Sequence, residues 1–113
     1  MNPKPAAPQL ILVYAEWCPH CYPLSTDRAP KLAAKLSVPL RLLDIDVRGE
    51  ERVADQIVQE HGDWDPDYLI PQLFLDHGDG RVEHLLTGVP GSTAGTKRAW
   101  EELFLRYGVE APA

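Results

Sequence analysis

The sequence predicts an α/β domain: a single mixed four-stranded sheet flanked by helices on both faces, in the order β-α-β-α-β-β-α. Three observations lead there. An apolar run at residues 9–14 is followed by a helical pattern and then a second apolar run at 40–47, as a right-handed βαβ unit requires. Two strand-like runs flank His77-Gly78-Asp79-Gly80, a hairpin signal. A long amphipathic segment closes the chain from about Thr93.

Gln9 to Tyr14 (QLILVY) is apolar at every position after Gln9, the pattern of a strand buried on both faces. Leu32 to Leu36 has helical spacing and strong helix formers. Pro23 removes a helical N–H just upstream, so the first helix is expected to bend or restart there. Ser25, Thr26 or Asp27 would cap the restarted segment, with Pro30 in its first turn. Leu40 to Val47 (LRLLDIDV) reads as the second strand, and Glu50 to His61 as a helix with acidic residues at its start and Gly62 at its close. An acidic loop, Gly62 to Tyr68, leads to strands at Gln72 to Asp76 and Arg81 to Leu86. Gly88 to Gly91 breaks the chain. The last helix runs from Thr93 to Tyr107, with Trp100, Leu103, Phe104 and Tyr107 on one stripe and Gly108 at its end.

With 113 residues the chain is one domain by the rule of roughly 100–200 residues each. We expect a disordered lead-in at residues 1–8, a domain at 9–108 and a short tail at 109–113. The net charge of −6 argues against nucleic acid as a partner, because phosphate binding needs a basic patch. The longest apolar run, Leu10 to Ala15, is far too short to span a bilayer. Two cysteines cannot staple a small secreted scaffold. The lead-in lacks the apolar core of an export signal, so a cytoplasmic monomer is expected; a periplasmic or other extracytoplasmic location follows if a signal or anchor was removed ahead of it.

The informative residues are Trp17-Cys18-Pro19-His20-Cys21, placed after the first strand and opening the first helix. Unbonded N–H groups and the helix dipole at such a position favour the thiolate form of Cys18. Two intervening residues let the sulfurs meet within one turn. Cys18, nearer the helix start, is the attacking thiol and Cys21 the resolving one. His20, when protonated, would add to thiolate stabilisation. A structural zinc site would need two more paired ligands, and His61, His77 and His84 are scattered. A fixed disulfide across so short a loop would add little stability. Redox chemistry is the favoured reading.

The segment Val13-Tyr-Ala-Glu-Trp-Cys-Pro-His-Cys21 resembles the active site of the thioredoxin superfamily, and Ile70-Pro71-Gln-Leu-Phe-Leu75 resembles that family's cis-proline segment. Gly88 resembles the glycine after the family's last strand. The likeness spans about residues 9–107 and implies a thioredoxin-like fold with Ile70-Pro71 beside Cys18. It further implies a cis Pro71, with the neighbouring backbone free to pair with a substrate strand. Protein thiols or disulfides and a redox recycling partner are the partners implied, and no cofactor is. Pro19-His20 departs from the Gly-Pro of thioredoxins and is similar to the dipeptide of periplasmic disulfide-forming oxidases, which points to the oxidising side. The family's buried acid and its lysine partner align with Leu12 and Leu42, so the proton of Cys21 is left to water, His20 or Glu16. Architecture is closer to the glutaredoxin-like core, but Thr87 to Ser92 lacks the acidic pair that captures glutathione.

Several side chains carry two readings. Trp17 is expected on the substrate-facing surface, with a core position as the alternative, whereas Trp100 is core. Trp64 and Tyr68 are expected to pin the acidic loop, and Asp63, Asp65 and Asp67 to be solvated, since their spacing lacks the glycine and distal glutamate of a calcium loop. The rivals to a thiol–disulfide oxidoreductase are a thioredoxin-fold carrier holding Cu(I) through Cys18, His20 and Cys21, and a non-catalytic adaptor.

Overall fold

The computed structural model describes residues 7–67 and 69–109; Tyr68, most of the expected lead-in and residues 110–113 of the expected tail lie outside the described residues. Gln9–Tyr14 forms β1, the apolar strand, and its side chains alternate between two cores. Leu10 and Leu12 face one side of the sheet, and Ile11 and Val13 the other; all four are buried. β1 pairs in parallel with β2 (Leu40–Asp44) and antiparallel with β3 (Gln72–Asp76). β3 in turn pairs antiparallel with β4 (Val82–Thr87), giving the order β2-β1-β3-β4. Three helices complete the α/β fold: α1 (Thr26–Leu36), α2 (Glu50–His61) and α3 (Thr93–Tyr107). None of the helices among the described residues is long and apolar enough to cross a membrane.

On one face Leu10, Leu12, Leu73 and Leu86 pack with Ala29 and Leu32 of α1 and with Trp100, Leu103 and Phe104 of α3. On the other, Ile11, Val13 and Phe74 pack with Ala54 and Val58 of α2, and both cysteines belong to this second core. Each fully buried leucine adds on the order of 2 kcal/mol of transfer free energy, so the periodicity that marks these positions also supplies the driving force.

The limits of β2 and β4 differ from expectation, and so does the capping of α1. β2 ends at Asp44 rather than Val47, because the Asp44 carboxylate accepts from the Asp46 N–H at 2.9 Å and the Val47 N–H donates to the Asp44 carbonyl at 3.0 Å, closing a turn. β4 is displaced by one residue, since the His77 N–H donates to the Arg81 carbonyl at 2.9 Å and so takes Arg81 into the hairpin closure. The first helix does break near Pro23: Tyr22 leaves helical geometry (φ −127°, ψ 124°) and α1 starts at Thr26. Ser25 occupies the cap position without capping, its hydroxyl donating instead to the His20 carbonyl at 2.6 Å, and Pro30 lies inside the helix beyond its first turn. Val109, where the tail was expected to begin, still donates to the Phe104 carbonyl at 2.9 Å and packs on the first core.

Candidate functional site

Strand β1 delivers Ala15 to Cys18 to the end of the sheet, where a tight turn forms: the Cys18 N–H donates to Ala15, and the N–H groups of Cys21 and Tyr22 both donate to the Cys18 carbonyl at 2.9 Å. That turn brings the two cysteines to 3.1 Å with no disulfide between them. Both cysteines are buried, Cys18 with 5% of its surface exposed and Cys21 with none. Burial pushes the Cys21 thiol far above its ordinary range; Cys18 and the Asp44 carboxylate add to the rise, and a backbone hydrogen bond at Ala15 opposes it. Tyr14, beside the same acidic groups, is raised as well, first by burial and then by Asp44, Glu16 and Glu50.

Trp17 lies on the surface at 66% exposure, not in the core, and its indole N–H donates to the Asp46 carboxylate at 2.7 Å. Pro19 is exposed next to it. His20 is half-buried, with Nδ1 at 2.7 Å from the Thr96 hydroxyl of α3. Glu16 is exposed. Leu12 and Leu42 are paired in the β1–β2 ladder, and Leu12 faces the α1/α3 core, on the side of the sheet away from the cysteines.

The second segment of the site approaches from β3. The Ile70–Pro71 peptide is cis, Pro71 is fully buried, and Ile70 packs against the core that holds both cysteines. Gly88 donates its N–H to the Pro71 carbonyl at 2.7 Å and lies so close that a Cβ there would stand 2.5 Å from Pro71 Cδ. No known protein-family model matches this chain, and no curated protein matches it either.

Sequence reasoning missed four contributors. Gln72, fully buried, accepts from the Asp63 N–H at 3.0 Å and donates to the carbonyls of Asp63 (2.9 Å) and Leu69 (2.8 Å), so it fixes the acidic loop where that loop enters Pro71. Ser25 receives the Trp100 indole N–H at 2.9 Å. Thr96 anchors His20, and Asp46 anchors Trp17. For Thr96 and Ser25 a signal existed, a polar residue at helical spacing from a buried tryptophan and a serine that its helix does not need. The three remaining histidines point to separate partners: His61 to Glu60, His77 to Glu83, and His84 to Thr87, whose hydroxyl donates to Asp63 at 2.6 Å. Trp64 is 45% exposed in the acidic loop.

Proposed function

We propose that this chain is a thioredoxin-like thiol–disulfide oxidoreductase that exchanges disulfides with protein substrates through Cys18 and Cys21. The observation that carries the reading is the 3.1 Å approach of two free, buried thiols, Cys18 with 5% of its surface exposed and Cys21 with none. The Cys18 thiolate attacks a substrate disulfide, one substrate sulfur leaves as a thiolate, and a mixed disulfide remains at Cys18. Cys21 then loses its proton, attacks the Cys18 sulfur and expels the second substrate thiolate; two electrons pass to the substrate and the Cys18–Cys21 disulfide is left. Oxidation of a substrate dithiol is the same path reversed, and a redox partner returns the pair to its starting state. The strand order β2-β1-β3-β4, with β1 and β2 parallel, is compatible with this family assignment. Ile70 would offer its backbone to an extended substrate segment.

Insulin reduction with a thiol reductant tests the reading. Cys18→Ser should abolish turnover, and Cys21→Ser should accumulate a mixed disulfide at Cys18 visible by mass spectrometry. Failure of the wild-type pair to cycle between dithiol and disulfide, or tight stoichiometric Cu(I) binding that blocks turnover, overturns it.

A further inference from the structure

Thr96 is a fully buried hydroxyl on the apolar stripe of α3, four residues before Trp100. A hydroxyl has one proton and two lone pairs to place. The Val89 N–H donates to Thr96 Oγ1 at 2.9 Å and uses one lone pair. Two contacts remain: His20 Nδ1 at 2.7 Å, which accepts the proton or donates to the second lone pair according to its tautomer, and the Ser92 carbonyl at 3.3 Å. Hydroxyl hydrogen bonds fall at about 2.5–3.0 Å, so the histidine is inside that range and the carbonyl outside it. The shorter contact favours His20 Nδ1 as the acceptor of this proton, which would put the ring hydrogen on Nε2.

The backbone of His20 is held from the same helix. Its carbonyl accepts the Ser25 hydroxyl at 2.6 Å, and that hydroxyl accepts from the Trp100 indole at 2.9 Å. Ring and carbonyl of His20 are thus tied to Thr96 and Trp100, one helical turn apart on α3. Through Val89 the Thr96 hydroxyl also grips the segment that follows Gly88, the residue seated on Pro71.

We infer that Thr96 is a positioning residue: it fixes the ring orientation and the Nε2–H tautomer of His20, and through His20 it biases the Cys18–Cys21 pair toward the reduced form. This rests on the redox function proposed above. His20 lies between the two cysteines in the chain, and a donor N–H presented to a cysteine sulfur would stabilise the anion that only the reduced pair carries. Freeing the ring removes that bias.

Two measurements test the inference on the full chain. Nitrogen-15 NMR of the imidazole, at about pH 9 where histidine is ordinarily neutral, should show the hydrogen on Nε2; a hydrogen on Nδ1 overturns the assignment. Equilibration with reduced and oxidised glutathione, in which the pair's disulfide and two glutathione thiols exchange for the dithiol and one glutathione disulfide, reads the bias. Thr96→Val should shift this equilibrium toward the protein disulfide by about fivefold, the worth of one hydrogen bond, and Thr96→Ser should restore it. In a His20→Ala background Thr96→Val should add nothing. No shift, or a shift that persists undiminished without His20, overturns the inference. Should Thr96→Val not fold, the wild-type tautomer decides alone. A wild-type pair that never exchanges with glutathione would instead refute the redox reading, and the tautomer would still judge the placement of His20.

Discussion

Substituting Gly88 by alanine would place a methyl carbon 2.5 Å from Pro71 Cδ, 2.8 Å from the Ile70 carbonyl oxygen and 3.1 Å from the Pro71 nitrogen. Favourable carbon–carbon contacts lie near 3.5–4.0 Å, so the first of these is about 1 Å too close. The neighbours are a proline ring and backbone, which cannot turn aside as a flexible side chain would. Gly88 does not have a positive φ, so the cost is steric and owes nothing to glycine's conformational freedom. Overpacking of this kind costs about 1–3 kcal/mol. For a domain of this size that corresponds to a fall in Tm of roughly 4–12 °C.

Relief requires the Pro71 segment to move away from β4, and with it Ile70, which packs against the core that holds both cysteines. If the pair turns over as proposed, insulin reduction at 25 °C should therefore fall on the order of tenfold to a hundredfold, as misplacement by about 1 Å does at enzyme active sites. Val89→Ala, at a neighbouring position 40% exposed, is the control and should change stability by less than about 0.5 kcal/mol. Thermal melts and turnover together read the result. An unchanged Tm for Gly88→Ala would refute the packing argument; a lowered Tm with full turnover would keep the packing and remove Pro71 from the site.

Ser25→Ala strands the buried Trp100 indole N–H and removes the hydroxyl from the His20 carbonyl, so a loss of about 1–3 kcal/mol is expected, seen as a lower urea midpoint at unchanged slope. Gln72→Leu keeps the volume but deletes three hydrogen bonds to the acidic loop, and should cost about 1–3 kcal/mol. Amide exchange at Asp63 should accelerate in that variant, with the β1–β3 amides much less affected.

What was legible in the sequence follows from the range over which each feature is encoded. The limits of β1, α2, β3 and α3 match expectation because hydrophobic periodicity is local and repeats over several turns or strand pairs. The Cys18–Cys21 contact is local too, a matter of one turn. β2 and β4 are misjudged at their ends because polar side chains and hairpin closure, rather than apolar pattern, stop them. The supports of the site were largely hidden. His20 and Thr96 are 76 residues apart, and Ser25 and Trp100 are 75 apart. Each pair is a single hydrogen bond made only once both cores have formed, and no spacing rule reaches that far. Trp17 illustrates the same point: its exposure follows from where β1 ends, and its Asp46 partner from a turn that the strand pattern conceals.

The pH dependence of resolution follows from the burial of Cys21. Its thiol is raised by desolvation first and by negative neighbours second, so across neutral pH it stays protonated and unreactive. Because the attacking species is the thiolate, the rate at which Cys21 releases a mixed disulfide from Cys18 should climb about tenfold per pH unit. It should show no plateau at the ordinary cysteine value of about 8.5. Asp44→Asn removes one of the charges that hold the proton on Cys21 while retaining an oxygen to accept from the Asp46 N–H. The variant should have more thiolate at each pH and resolve faster. The gain should reach only about half of the logarithmic change in thiolate fraction, since a less basic thiolate is a weaker nucleophile. A mixed disulfide formed with a chromophoric thiol, followed by release of that thiol between pH 6 and 9, measures both effects. A rate that levels off near neutrality would mean that Cys21 is already ionised there, and the burial argument would fail. A climbing rate would mean that release by Cys21 is controlled by a proton that the protein's own core and the Asp44 carboxylate hold in place.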